Sequence, residues 1–355
     1  MKKECLDICD KPLIESECWS YYKFAMMQTL DEIPLWLTNH FSVFVTNDGT
    51  ALFGENGKVY PLTYYSDLLD IKDGEILSVH SRNIVDYLKQ KIHQGYYVVL
   101  DVNYNKLKKD SGFWLHETLI YGYTSTGFYT TILKNGSFVS QCISYDIIES
   151  AYDDAWEYYK ADVNRVFYRR AWFYGITLVK LKTGFRNDNA QYDALNKLRA
   201  EMDGGMYIID KYGNDGTNAP KYFTGSACLK HIIDLLSRLD NNDENIFHKM
   251  RNYKNACVKI AENQKILCEI MRWCIRDNNG EEICEMVEAY EKSINNVMAA
   301  VMLFNKFEQT TNRDIIVRII DRLNDTNVIQ KDLIGKFIPM VTSIYKNNYL
   351  LRNNA

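Results

Sequence analysis

The feature that most constrains the fold is a series of strand-like segments in the first half of the chain. Residues 96–104, 118–123, 128–133 and 138–141 carry many aromatic and β-branched side chains, and polar or glycine-containing turns separate them. Segments of this kind, one after another along the chain, predict an antiparallel meander.

Helical patterns surround this meander. Residues 82–93 have the apolar spacing of an amphipathic helix, and residues 144–156 look helical with Ser144 as the cap. From residue 188 onward, apolar positions recur every three or four residues. The sequence therefore predicts an α+β protein with domains at 1–160 and 161–355, the second mainly helical with a strand near 172–181.

Size and charge narrow the function classes. The chain has 355 residues, 46% of them hydrophobic and 25% charged, which is enough for two cores. Its formal net charge is -4, and it has no concentration of cationic side chains for nucleic acid. No stretch reaches the roughly 20 apolar residues of a membrane span, and the N-terminus is charged. We expect no nucleic-acid or membrane partner and a cytoplasmic location.

The nine cysteines are scattered, and their number is odd. Several of them lie in helical, partly apolar patterns, as reduced core thiols do. These are Cys257, Cys268, Cys274 and Cys284. Disulfides are therefore not expected. The spacings of these cysteines also match no zinc pattern, so the sequence predicts no metal site.

His116 lies at the start of a short apolar strand that ends on Gly122. A side chain on such a strand is held by a fixed backbone, which suits a general base that must meet a nucleophile. The competing interpretation is a core histidine that bonds a backbone carbonyl.

Cys18 is the candidate nucleophile because it precedes an apolar helix-like run that Ser16 or Glu15 can cap. In the first helical turn, the positive end of the helix dipole stabilises a thiolate. The competing interpretation is a small buried residue. Cys5 and Cys9 are rival early thiols, but no clear helix starts at either, and we expect both on a mobile leader.

An early cysteine followed by a distant histidine is the chain order of papain-like enzymes. With Cys18, the segment 98–104 and the block 115–123 in this order, the chain resembles the butirosin-biosynthesis H-like proteins, which are relatives of papain-like C39 peptidases. The resemblance covers roughly the first half of the chain. It implies a papain-like cysteine protease fold, followed here by a helical C-terminal domain.

The resemblance also implies an activity. Proteins of this family take an acyl or peptidyl chain from a carrier-protein thioester and pass it to an amine, forming an amide in thiotemplated natural-product biosynthesis. The implied partners are an acyl or peptidyl carrier protein and a small amine, which as a diamine can be acylated twice. The substrate is carried on the phosphopantetheine of the carrier, and no bound cofactor is expected.

Carried over to this chain, the resemblance makes Cys18 the nucleophile and His116 the base. The family usually has an aspartate at the end of the next strand. Here Asn135 is the nearest candidate for that third group, and Asp101 is the second choice. Asp101 and Tyr104 are also the predicted substrate-binding residues, although Asp101 is equally well interpreted as a buried carboxylate with partners.

The sequence is also consistent with two other functions. A cysteine peptidase or thioester hydrolase would use the same residues and resolve the acyl-enzyme with water. A non-catalytic binding module with the same fold would not need Cys18 and His116 to lie close together. Residues 11–17 contain no glutamine, where papain-like enzymes place an oxyanion donor shortly before the cysteine, so the expected donors are the Cys18 backbone amide and another group.

Overall fold

The structure is a computed structural model that describes residues 4–54, 63–72, 83–134, 136–161, 175–208, 221–239, 244–277 and 280–353. In chain order its elements are β1 (Glu4–Cys5), α1 (Cys18–Met27), α2 (Ile33–Leu37), β2 (Ser42–Thr46), β3 (Ala51–Gly54), a 3₁₀ helix (Thr63–Asp67), β4 (Leu69–Lys72), α3 (Ile84–His93), β5 (Tyr97–Asn103), α4 (Tyr104–Lys108), β6 (Leu115–Tyr123), β7 (Gly127–Lys134), β8 (Ser137–Ser144), α5 (Tyr145–Lys160), β9 (Ile176–Leu181), α6 (Ala190–Asp203), β10 (Gly205–Ile208), β11 (Lys221–Thr224), α7 (Ser226–Ser237), α8 (Ile246–Ile275), α9 (Glu281–Thr310) and α10 (Asp314–Asn353).

The chain divides into two compact units. Unit 1 comprises Met1–Asp31 and Tyr64–Phe185, and unit 2 comprises Glu32–Thr63 and Arg186–Ala355. The predicted α+β class, with a largely helical C-terminal region, is confirmed. Each unit contains its own antiparallel sheet.

Unit 1 is built on a sheet in the order β4-β9-β5-β6-β7-β8, with β1 added alongside β6. The strands β5 to β8 follow one another in space as in sequence, so the predicted meander is confirmed. The register pairs Val102 with His116 and Asp101 with Glu117. Neighbours on two adjacent strands therefore carry the candidate base and two carboxylates.

Helix α1 is buried on all sides. Every residue from 20 to 27 is buried, including Lys23, whose ammonium lies 4.5 Å from the centre of the Tyr65 ring. A helix without a polar face belongs inside a core, where tertiary packing holds it in place. Its first residue, Cys18, is consequently fixed at one end of a rigid element.

The N-terminal segment is anchored to this unit. The Cys5 position pairs with Gly122 on β6, and the Cys9 amide donates to the carbonyl oxygen of Ala25 at 2.8 Å. A side chain at Gly122 would come within 2.8 Å of the Glu4 carbonyl oxygen, so only glycine lets β1 approach this closely. The expectation of a mobile leader is wrong, because strand pairing ties these residues down.

Unit 2 has a sheet in the order β10-β11-β2-β3 and the long helices α8, α9 and α10. This division differs from the predicted boundary after residue 160 at two places. The hairpin β2–β3 lies within the predicted domain 1–160, but it pairs through β2 with β11 and belongs to unit 2. The strand expected in the second domain is β9, which pairs with β4 and β5 in unit 1.

Of the helices that the structure describes, none is both long enough and apolar enough to cross a membrane.

Of the four cysteines on α8 and α9, three are core residues. Cys257, Cys268 and Cys274 are buried on α8, and burial raises the pKa of Cys257 to about 12. Cys284 on α9 is only half-buried.

Candidate active site

The thiol of Cys18 stands at the first residue of α1. Glu17 before it has extended backbone angles, φ -132 and ψ 123, and its carbonyl oxygen accepts from the Tyr21 amide at 2.7 Å. The helix therefore begins at Cys18, with no side-chain hydrogen bond at the cap. This geometry places the half-buried thiol at the positive end of the helix dipole, where a thiolate is stabilised.

His116 meets this thiol from the sheet. One donor atom from each of Cys18, His116 and Glu117, namely the thiol sulfur, a ring nitrogen and a carboxylate oxygen, lies within 4.8 Å of the other two. The His116 side chain is 14% exposed, so the imidazole is largely shielded yet reachable. The structure thus brings together the two residues that the sequence predicts as nucleophile and base, although they are distant in the chain.

The tautomer of His116 follows from one hydrogen bond. Its Nδ1 lies 2.9 Å from the backbone carbonyl oxygen of Glu117. Because a carbonyl oxygen can only accept, we assign the hydrogen to Nδ1. The neutral ring then keeps its lone pair on Nε2, which is the form a general base requires.

Glu117 contributes a carboxylate that was not predicted as a site residue from the sequence. Its side chain is fully buried, and Oε2 lies 3.5 Å from Nδ1 of His116. The available signal was a charged residue inside an otherwise apolar strand, directly after the candidate base. A buried carboxylate is costly without polar neighbours, so its presence there points to a site.

Two buried tyrosines surround this centre. The Tyr22 hydroxyl donates to the Glu117 carbonyl oxygen at 2.9 Å, so that one oxygen accepts from both Tyr22 and His116. Burial raises the pKa of Tyr22 well above its ordinary value, and the nearby Tyr104, Glu117 and Cys18 raise it further. The Tyr22 phenol therefore stays neutral and remains a donor.

Tyr104 supports the imidazole rather than lining an open pocket. It is fully buried, its ring centre lies 4.8 Å from that of His116, and its hydroxyl oxygen accepts from the Leu133 amide. Burial also raises the pKa of Tyr104. These contacts favour a role in positioning His116, whereas the sequence predicts substrate binding for this residue.

Asp101 is engaged by its own structural partners. It is 3% exposed, and its Oδ2 accepts from the Tyr159 hydroxyl at 2.6 Å and from the Gly175 amide at 3.1 Å. These bonds tie α5 and the start of β9 to the centre of the sheet. Of the two interpretations of Asp101, a buried carboxylate with partners is the one that these contacts support.

Asn135, the predicted third group, lies outside the described residues. The preceding residue, Lys134, ends β7. That role for Asn135 stays a prediction. Within the described part of the chain, His116 Nδ1 lies 2.9 Å from the Glu117 carbonyl oxygen.

Exposed aromatic rings border the site. The Trp114 ring lies 4.9 Å from that of His116 and is 39% exposed, while Phe113 is 44% exposed and stacks on Tyr158 at 5.0 Å. The Trp114 amide donates to Oδ1 of Asn103, which fixes the loop between α4 and β6 to the end of β5. Large exposed rings beside a histidine form an apolar surface that suits part of a substrate.

The same centre has the donor atoms of a metal site. Thiol sulfur, imidazole nitrogen and carboxylate oxygen are the three ligand types that zinc takes in proteins. The spacing of the C-terminal cysteines predicts no metal site. The trio Cys18, His116 and Glu117 is formed by the fold and has no spacing signature in the sequence.

No protein-family model matches the chain, and no curated protein matches it either. Functional interpretation therefore depends on the geometry of the Cys18–His116 pair and on the residue pattern described above.

Proposed function

We propose that this protein is a cysteine-dependent N-acyltransferase of the papain-like, butirosin-biosynthesis H-like kind. It transfers an acyl or peptidyl chain from a carrier-protein thioester to an amine in the cytoplasm. One observation carries the proposal: the Cys18 thiol, at a helix N-terminus, lies within 4.8 Å of a nitrogen of His116. The hydrogen bond that leaves Nε2 unprotonated supports it.

The first half-reaction moves the acyl group onto the enzyme. His116 takes the thiol proton, and the Cys18 sulfur attacks the thioester carbonyl. The carbon–sulfur bond to phosphopantetheine then breaks, and the departing thiolate receives the proton from the imidazolium. Sulfur replaces sulfur, so the donor bond energy is retained in the acyl-enzyme. No bound cofactor is required.

The second half-reaction forms the amide. A neutral amine attacks the acyl carbonyl, His116 takes a proton from the nitrogen, and the bond to Cys18 breaks. The proton passes to the sulfur, which restores the thiol. A diamine that re-enters with its second amino group is acylated twice. One base serves both steps, and in each of them the Cys18 backbone amide is the proposed donor to the oxyanion.

The buried tyrosines fit this mechanism because they remain neutral. Tyr22 donates to the same Glu117 carbonyl oxygen that contacts Nδ1 of His116. The bond from Nδ1 to this oxygen limits rotation of the imidazole. Tyr104 packs against the same ring. A base held in this way keeps its geometry in both half-reactions, and positioning of this kind contributes substantially to rate.

The experiment is to mix the protein with a small acyl thioester and measure its intact mass, with peptide mapping of the adduct. We expect one acyl group on Cys18 in the wild type and none in Cys18→Ala. Cys142→Ala is the matched control because Cys142 is an exposed thiol in unit 1. An adduct that survives in Cys18→Ala, or no adduct with any of several acyl donors, would refute the covalent mechanism.

A further inference from the structure

The Cys18, His116 and Glu117 donors have the chemistry of a zinc site. Zinc binds thiolate at about 2.3 Å and imidazole nitrogen or carboxylate oxygen at about 2.0 to 2.2 Å, usually with four ligands in a tetrahedron. The sulfur ligand disfavours magnesium and calcium, which prefer oxygen donors. With three protein ligands, the fourth position would be taken by water.

Charge favours a dication at this place. Ligated as a thiolate and a carboxylate, Cys18 and Glu117 supply two negative charges, which neutralise Zn²⁺ where the Glu117 side chain is fully buried. His116 adds a neutral ligand. Binding releases the proton of the Cys18 thiol, because the metal takes the thiolate form.

The geometry needs only a small adjustment. Donor atoms around a tetrahedral zinc ion lie about 3.5 Å apart, given its usual bond lengths. The three donors here already lie within 4.8 Å of one another, a difference that side-chain rotation can supply. The bond from Nδ1 to the Glu117 carbonyl oxygen is the kind of second contact that metal-bound histidines make. Nε2 would then bind the metal, and the Glu117 carboxylate, which lies 3.5 Å from Nδ1, would rotate toward it.

We propose that Cys18, His116 and Glu117 form a Zn²⁺ site, and that zinc binding reversibly blocks the Cys18 nucleophile. Binding itself is independent of the proposed acyl transfer, whereas the block is a consequence that rests on it. A transferase inhibited in this way is active only when free zinc is low or chelated.

The test uses Co²⁺ as a spectroscopic substitute for Zn²⁺ on the full chain. A thiolate bound to Co²⁺ gives a charge-transfer absorption in the near ultraviolet, and tetrahedral Co²⁺ gives strong visible bands. We expect one equivalent of Co²⁺ to produce both, and added Zn²⁺ to remove them. The thiolate band is lost in Cys18→Ser. Glu117→Gln removes a direct carboxylate ligand and weakens metal affinity by more than the roughly 10- to 100-fold that loss of an outer-shell partner costs.

Cys142→Ser is the matched control and should keep the wild-type spectrum, because Cys142 is an exposed thiol outside the trio. Circular dichroism confirms that each variant is folded. If Glu117→Gln fails to fold, His116→Gln serves as the second ligand variant. No Co²⁺ spectrum in the folded wild type, or a thiolate band that persists in Cys18→Ser, would overturn the site.

The acyl-adduct assay separates this proposal from the proposed function. With one equivalent of Zn²⁺, we expect acyl-Cys18 to form at least tenfold more slowly, and EDTA to restore the rate. A Co²⁺ spectrum without any acyl adduct would support the metal site and contradict the transferase. Acylation that is unaffected by saturating Zn²⁺ would refute the block.

Discussion

At the scale of single residues, one backbone oxygen organises the site. The Glu117 carbonyl accepts from the His116 ring and from the Tyr22 hydroxyl, and a carbonyl oxygen has two lone pairs for two such bonds. In many enzymes a side chain orients the catalytic imidazole. Here the carbonyl oxygen of the neighbouring residue contacts Nδ1 of His116, the proposed base, and the Glu117 carboxylate lies 3.5 Å from the same atom.

Removing the imidazole tests the base. We expect His116→Ala to slow the formation of acyl-Cys18 by about 10²- to 10⁴-fold, the usual contribution of a positioned general base. The rate is measured at pH 7 by quenching samples at set times and determining their intact mass. His93→Ala is the control, because His93 is 76% exposed and its ion pair with Glu4 lies on the surface. An equal loss of rate in both variants would mean that His116 is not the base.

Buried thiols should not react with alkylating reagents in the native protein. Burial raises the pKa of Cys257 and of Cys268 to about 12. At pH 8 only about one such thiol in ten thousand is ionised, and only the thiolate reacts. With iodoacetamide we expect Cys18 and Cys142 to be modified in the native protein, and Cys257 and Cys268 only after unfolding. Rapid native labelling of Cys257 would contradict its placement in the core.

At the scale of elements, β1 depends on the absence of a side chain at Gly122. In Gly122→Ala the new carbon would lie 2.8 Å from the Glu4 carbonyl oxygen and 2.9 Å from Cys5 Cα. Because both contacts are with backbone, we expect β1 to detach and the free energy of unfolding to fall by about 1 to 3 kcal/mol. Hydrogen exchange of the Leu6 amide, which donates to Tyr121, reports the detachment.

The control for this change is Gly335→Ala, within α10. A side chain at Gly335 meets Met202 Sδ at 3.6 Å, an ordinary contact, and alanine favours helix over glycine by about 1 kcal/mol. We expect equal or higher stability for that variant. A Gly122→Ala protein that keeps slow Leu6 exchange would disprove the close approach of β1.

A polar chain of hydrogen bonds links the three long helices. Gln264 on α8 donates to Oε1 of Gln330 on α10 at 2.8 Å, Gln330 donates to Oγ of Ser293 on α9 at 2.9 Å, and Ser293 donates to the Tyr290 carbonyl oxygen at 2.6 Å. All three side chains are buried. These bonds connect the three helices, while Gln264 Oε1 is a buried acceptor that has no hydrogen-bond partner within the described residues.

Breaking this network should destabilise unit 2. In Gln330→Leu the Gln264 amide loses its acceptor, and an unsatisfied buried donor costs about 1 to 3 kcal/mol. We expect a lower melting temperature by differential scanning calorimetry. Val328→Ala on the same helix is the control, because Val328 is 69% exposed and should melt like the wild type. Equal melting of the two variants would show that the chain of bonds contributes no stability.

Across the whole chain, local sequence patterns predicted which segments are strands better than they predicted which strands pair with each other. The alternation in residues 96–141 was sufficient for the meander, because consecutive strands pair with each other. The strand β2 instead pairs with β11, with Val45 opposite Phe223, far away in the chain. A periodic pattern indicates that a strand exists but carries no information about so distant a partner, so the assignment of residues 32–63 to unit 2 could not be predicted.

The site shows the same limit. Cys18 and His116 could be proposed from sequence because each lies at a recognisable start of a helix or strand. Glu117 could not, since its role depends on the packing of α1 against the sheet, which brings its carboxylate near the thiol. Asp101 has the appearance of a site residue in sequence, yet the fold uses its carboxylate to hold Tyr159 and Gly175.

In the proposed reaction, an amine attacks acyl-Cys18 and releases the amide. The most direct measurement isolates the acyl-enzyme, adds a diamine over a range of concentrations and quantifies amide and free acid by mass spectrometry. We expect the ratio of amide to acid to rise in proportion to the amine concentration, and Cys18→Ala to form neither product. Free acid alone, at every amine concentration, would contradict acyl transfer and identify a hydrolase.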